Sequence, residues 1–145
     1  MFVYATTDTI KVTPLAPPRG YFQTAFSSAD TDSIPFRREL DALLTAENVD
    51  GYVFQPSIHA HRHAKAYLSV ASRIMKQFFP RPELISDGEG GIDIEWTKNA
   101  RKVSLSCRGT DAQSDYIYWE EGGNYDARDF ALLLLIYRLN WLNHA

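Results

Sequence analysis

Cysteine is nearly absent: Cys107 is the only one in 145 residues. A lone thiol excludes an internal disulfide and any zinc site built on several thiolates. Long apolar runs are missing as well. The longest, Ala131 to Tyr137, falls far short of the roughly 20 residues that span a bilayer. The opening Met-Phe-Val-Tyr-Ala-Thr-Thr-Asp lacks the basic n-region and apolar core of a secretory signal. A cytoplasmic protein without membrane contact is therefore expected. Nor is there an excess of positive charge: 15 Lys and Arg against 18 Asp and Glu leave a formal −3. A general nucleic-acid binder would carry the opposite bias, although a local basic patch is compatible with this balance.

What is present points to one folded domain with an arm. Hydrophobic residues make up 45% of the chain and aromatics 13%, enough for a real core. Pro14, Pro17, Pro18 and Pro35 punctuate the amino-terminal segment, where no period persists outside Thr9-Ile-Lys-Val-Thr13. Residues 1–34 are expected to form an extended arm. Its Tyr21, Phe22 and Phe26 are too many aromatics for an inert tail, so it should meet its own domain or a partner. Residues 35–145 are expected to form a single α+β domain.

Helical spacing is clear in three places. Over about 35–47, Phe36, Leu40, Leu43 and Leu44 form an i, i+4, i+7, i+8 stripe, with Asp32 and Ser33 as cap candidates. Asn48-Val-Asp-Gly51 supplies the turn that ends it. Over about 57–79, Ser57 caps a helix whose apolar face carries Ala64, Leu68, Ala71, Met75 and Phe78, joined by Tyr67 and Ile74. Arg62, Lys65, Ser69, Arg73 and Lys76 mark the other face, and Pro80 and Pro82 stop it. Over about 126–144, Asn124 and Asp126 can cap a helix apolar on most sides. Such a helix is central to the domain or lies in a homodimer interface.

Between the last two helices the period changes to two. Asp87-Gly-Glu-Gly-Gly91 reads as a turn, Ile92 to Trp96 and Val103 to Cys107 alternate, and Asp115 to Glu120 repeats the pattern. With a loop at Lys98-Asn99, Thr97 would face Ala100, Glu95 would face Lys102, and Ile94 would face Val103. The expectation is an antiparallel meander of three to four strands over about 83–120, with the helices mainly on one face.

Candidate chemistry is sparse. His59 and His63 share a helix face at the spacing of two metal ligands, while His61 points elsewhere, nearer the core. The Glu beside the first histidine in a metalloprotease helix is replaced by Ala60, spacing identifies no third ligand, and Arg62 and Lys65 repel a cation. The pair is thus a metal candidate weighed against a solvated or hydrogen-bonded helix end. The glycine loop at 87–91 lacks the lysine of a phosphate loop, and its two acids oppose phosphate. Cys107 sits at a core-facing strand position without an identifiable base and reads as structural. Arg37, Arg38, Arg62, Lys65, Arg73 and Lys76 can form a basic surface. Asp93, Glu95, Glu120 and Glu121 would form an acidic one. Tyr116 and Tyr118 face outward, Trp96 and Trp119 inward.

The stretch Arg81-Pro-Glu-Leu-Ile-Ser-Asp-Gly-Glu-Gly-Gly-Ile-Asp-Ile-Glu-Trp96 resembles a segment of small uncharacterised bacterial and phage-associated proteins. The resemblance implies a strand–turn–strand module after a helix, and it brings no activity or catalytic residues. The function expected is a non-enzymatic protein–protein interaction module, of the immunity, antitoxin or inhibitor type. It needs no cofactor and no catalytic residue, and it can homodimerise through the last helix. Tyr21, Phe22, Phe26, Arg62, Lys65, Arg73 and Lys76 are the candidate partner-binding residues. The alternatives are a metal- or ligand-dependent enzyme using His59 and His63, and a nucleic-acid binder using the basic helix face.

Overall fold

The computed structural model describes residues 36–45 and 55–145, all within the unit Ile34–Ala145. The expected arm with Tyr21, Phe22 and Phe26, the cap candidates Asp32 and Ser33, and the turn at 48–51 lie outside the described residues. The elements in chain order are α1 (Arg37–Leu43), α2 (Ile58–Met75), a 3₁₀ turn (Lys76–Phe78), β1 (Glu83–Ser86), β2 (Ile92–Lys98), β3 (Arg101–Cys107), β4 (Tyr116–Glu121), β5 (Asn124–Asp129) and α3 (Leu132–Asn143). The strands form one antiparallel sheet in the order β1-β2-β3-β4-β5. α3 lies against β2, β3 and β4, α2 against β2 and β3, and α1 against α2 and β1. The domain is α+β.

Five strands stand where the sequence pattern predicts three to four. Asn124 and Asp126, expected as helix caps, belong to β5. Gly122 and Gly123, at φ +57° and +89°, make a two-residue hairpin loop that needs left-handed backbone at both positions. The chain therefore reverses and pairs with β4, Glu121 opposite Asn124, before α3 begins at Leu132 with Ala131 as an N-cap that offers no side-chain hydrogen bond.

The β2–β3 register also differs from expectation. Lys98 pairs with Arg101, Trp96 with Val103, Glu95 with Ser104 and Ile94 with Leu105. The loop is Asn99-Ala100, and Asn99 adopts φ +54°, a conformation asparagine tolerates better than lysine. The shift is two residues, so parity is kept and no side chain changes face. Glu95 and Lys102 still reach each other along the diagonal, Nζ to Oε2 at 3.0 Å.

α2 forms for the reasons its sequence gives. Ser57 Oγ accepts from the Ala60 N–H at 3.0 Å, and Ala60, Ala64, Leu68, Ala71 and Met75 are buried. Its end departs from the expected stripe. Lys76 takes φ +53° and donates its N–H to Ser72 O, which breaks the α-helical phase. Phe78 is consequently 64% exposed. Phe79 turns inward instead, edge-on to Trp96 and tilted against Phe36. Ile74, at the margin of the stripe, is also exposed. Ser69, expected on the polar face, is buried, and its Oγ has no hydrogen-bond partner.

The core lies between the helices and the inner sheet face, where Ile94, Trp96, Val103, Leu105, Ile117 and Cys107 meet Leu135, Leu139 and Leu142. Each buried aliphatic side chain of this kind contributes roughly 1.5–3 kcal/mol. The opposite side of α3 is less covered than expected: Leu133 and Tyr137 are 79% and 64% exposed. Its one cation, Arg138, folds back over the Trp119 ring at 4.0 Å, a cation–π contact with a face of the core.

Candidate functional site

The sequence offers the histidines as the first place to look, and the fold gives them a partner that spacing could not. His59 and His63 do share a face of α2, with ring centroids 4.1 Å apart. Asp115, just ahead of β4, brings a carboxylate to His63 from 52 residues away: His63 Nδ1 lies 2.5 Å from Asp115 Oδ2. The Tyr67 hydroxyl donates to the same oxygen at 2.7 Å, and the Arg108 N–H donates to Oδ1 at 2.8 Å. Asp115 is buried. Burial on its own would raise its carboxyl, but the bonds from His63, Arg108 and Tyr67 prevail and hold it below its ordinary value. It is therefore the acceptor in this cluster. Burial and the neighbouring Asp115 push the Tyr67 phenol up, so Tyr67 is a donor throughout.

This cluster is a clasp before it is anything else. Asp115 ties the β3–β4 connection to α2, and its own carbonyl takes the Phe130 N–H at 2.9 Å, while the Phe130 ring stacks on Tyr67 at 3.8 Å. A carboxylate–imidazole pair can orient a general base, but a nucleophile must stand within its reach. Cys107 does not serve. It is buried, and burial followed by the negative charge of Asp115 pushes its thiol up. Among the described residues, no group of three or more His, Cys, Asp or Glu is placed to hold a metal ion. His61, buried on the other side of α2, bonds Asp41 Oδ1 of α1 at 3.0 Å. The three histidines thus divide between two separate contacts.

The glycine loop is committed to its own backbone. Asp87 Oδ1 accepts from the N–H groups of Glu89 and Gly91. Gly90 O accepts the Ser57 N–H at 2.8 Å, and Ser57 Oγ donates to Gly109 O at 2.7 Å. The N-terminus of α2 is stitched to both loops, with Gly90 and Gly109 in close approach.

Two charged surfaces face away from the core. On α2, Arg62 and Arg73 are exposed and Lys65 half-buried, along one stripe interrupted by the buried Ser69, and the exposed Lys76 follows in the 3₁₀ turn. The helix carries no acid. On the outer face of the sheet, pairing places Glu83, Asp93, Glu95, Glu120 and Asp129 around Lys102, and the Arg108 guanidinium lies at the margin over the Tyr116 ring at 5.6 Å. Lys102 is already engaged by Glu95. Glu121, expected among these acids, falls on the inner side by parity and pairs with Arg101 at 3.0 Å. Tyr116, Tyr118 and Tyr125 share the outer face. Tyr118 and Tyr125 stack at 5.8 Å, and Tyr125 is 72% exposed. The hydrogen bond from Tyr118 to Glu120, 2.6 Å long, lifts its phenol to about 12. The small Ser104 and Ser106 are buried between these larger neighbours, Ser106 donating to Asp93 at 2.6 Å.

Neither surface joins the residues chosen from the sequence into one site. Arg62, Lys65 and Arg73 lie along α2, and Lys76 follows in the 3₁₀ turn. Asp115, Glu83, Tyr125 and Asp129 are the residues that sequence reasoning missed. The alternation in β5 points to the last two once Gly122-Gly123 is taken for a hairpin loop. No family model, no curated protein and no solved structure matches the chain.

Proposed function

We propose that this protein is a non-enzymatic protein-binding module that docks a basic partner on the outer face of its sheet. The observation that carries this reading is the composition of that face: five carboxylates and three tyrosines against two cations that are both engaged, Lys102 by Glu95 and Arg108 over Tyr116, with Tyr125 left exposed. Carboxylates steer a cationic partner toward the face. Tyrosine rings supply rigid area and cation–π sites for arginine. An inhibitor-, immunity- or antitoxin-type accessory role would use a face of this kind. The test is calorimetric titration of the full chain with an oligoarginine peptide. Glu83→Lys, Glu120→Lys and Asp129→Lys together should weaken binding at least about tenfold. The pair Arg62→Glu on α2 and Lys76→Glu in the turn after it should not weaken it. Equal affinities for the wild type and the sheet-face variant would overturn the reading.

The basic stripe of α2 favours nucleic acid as a second reading, since a helix without acids can lie along a phosphate backbone. It predicts affinity for a duplex oligonucleotide that falls steeply with salt and is lost on Lys76→Glu. Salt-independent binding would exclude it.

A further inference from the structure

We propose that the free edge of β5 pairs with β5 of a second copy of this chain, antiparallel and centred on Ala127. Among the described residues β5 closes the sheet, with every residue from Asn124 to Asp129 exposed, and an uncovered edge strand is a template for another strand. The direction of its backbone groups follows from the hydrogen bonds to β4. The Phe130 N–H donates to Asp115 O. Antiparallel alternation then turns Asn124, Asp126 and Arg128 toward β4, and Tyr125, Ala127 and Asp129 toward the open edge. Ala127 agrees with this assignment: its N–H turns from β4 to the side chain of its neighbour, Asp126 Oδ1, at 2.8 Å, a bond that pairing exchanges for the Ala127 carbonyl of the second copy, freeing Asp126 to meet Arg128.

The edge sequence complements itself in one register only. With Ala127 opposite Ala127 of the second copy, Tyr125 and Asp129 form hydrogen-bonded pairs across the axis. Asp126 then stands opposite Arg128, and Arg128 opposite Asp126, at the non-hydrogen-bonded positions where side chains come closest. The methyl groups on the axis leave room for close approach. A slip of one pair toward the hairpin loop sets Asp126 against Asp126, and a slip the other way sets Arg128 against Arg128. Like charges directly opposite are destabilising, so the charges that guard the edge against other strands select its own copy. Within one chain Asp126 and Arg128 meet at 3.5 Å as an exposed pair, which pairing would exchange for two reciprocal contacts. The result is a ten-stranded sheet whose acidic faces are continuous. The last helix was the expected dimer surface, and this proposal assigns the contact to the strand instead. It uses the edge of the sheet and stands apart from the basic-partner reading of its face.

The test is sedimentation of the full chain at rising concentration, with two charge variants. Wild type should pass from monomer to dimer. Asp126→Arg alone and Arg128→Asp alone should each remain monomeric, with the circular dichroism of wild type. An equimolar mixture of the two should form a heterodimer, visible by native mass spectrometry. One variant is then basic at both edge positions and the other acidic at both, so opposite charges meet across the axis only between unlike chains. In wild type, the amides of Tyr125, Ala127 and Asp129 should gain exchange protection with concentration while those of Asp126 and Arg128 do not change. A wild type that stays monomeric to about 1 mM, or a dimer indifferent to either charge variant, would overturn the proposal.

Discussion

From Ile117 to Tyr118 the chain advances one residue and crosses from a fully buried position under α3 to a half-exposed one beside Glu120. The same step recurs between Ile94 and Glu95 and between Val103 and Lys102. On the inner face, volume and apolar area decide what fits, and helices exclude water. On the outer face, charge and ring edges are displayed, held by the backbone ladder and by surface contacts such as Glu95–Lys102 and Tyr118–Glu120. Two-fold alternation thus lets the outer side chains vary independently of the packing that fixes the inner ones. Stability should follow the inner residues, and recognition the outer ones.

Leu105→Ala would test the first half of that contrast most severely. The residue is fully buried on the central strand, and truncation should cost about 3 kcal/mol in urea unfolding. A loss under about 1 kcal/mol would mean the core collapses around the gap. Asp115→Asn comes next, because it removes the negative charge and puts an amide donor where Oδ2 accepts from His63 and Tyr67, while the remaining oxygen can still take the Arg108 N–H. About 2 kcal/mol is expected, with a defined pH dependence. The folded-state carboxyl of Asp115 is held below its ordinary 3.8. Its contribution is therefore complete above the unfolded value and is lost as pH falls through the depressed folded one. The gap between wild type and variant should narrow in acid, and a gap constant from neutral pH to strong acid would contradict the assignment.

Ser57→Ala removes the cap of α2 and the bond to Gly109 O, for about 1 kcal/mol, measurable as a shift in the urea midpoint. Tyr125→Ala should be smallest of all in stability, within about 0.5 kcal/mol, since the side chain is mostly exposed. Its effect should emerge in oligoarginine affinity instead. A Tyr125 variant that unfolds easily would abolish the distinction between the two faces.

Much of this arrangement is legible in the sequence because burial leaves a period. The 3.6-residue spacing of Ala64, Leu68, Ala71 and Met75 and the alternation from Ile92 to Trp96 both reach the structure unchanged. Parity survives even the misplaced β2–β3 loop, since a slip of two residues is invisible to a two-residue period. Turn chemistry is harder to read. Asn124 and Asp126 suit a helix start and a strand after a glycine pair equally well, and only pairing with β4 decides between them. Least legible is the clasp at His63, whose carboxylate lies 52 residues further along the chain. Side chains joined only by the closing of the fold leave no local pattern to read.

The single thiol becomes useful in this light. Cys107 is 1% exposed at the end of β3, beneath the helices, and no other cysteine competes with it. An alkylating reagent can reach it only when the inner face comes apart, so the labelling rate of the unmodified protein is a clock for that opening. Timed at several urea concentrations, it would separate the breathing of the Asp115 clasp from global unfolding without a single introduced probe.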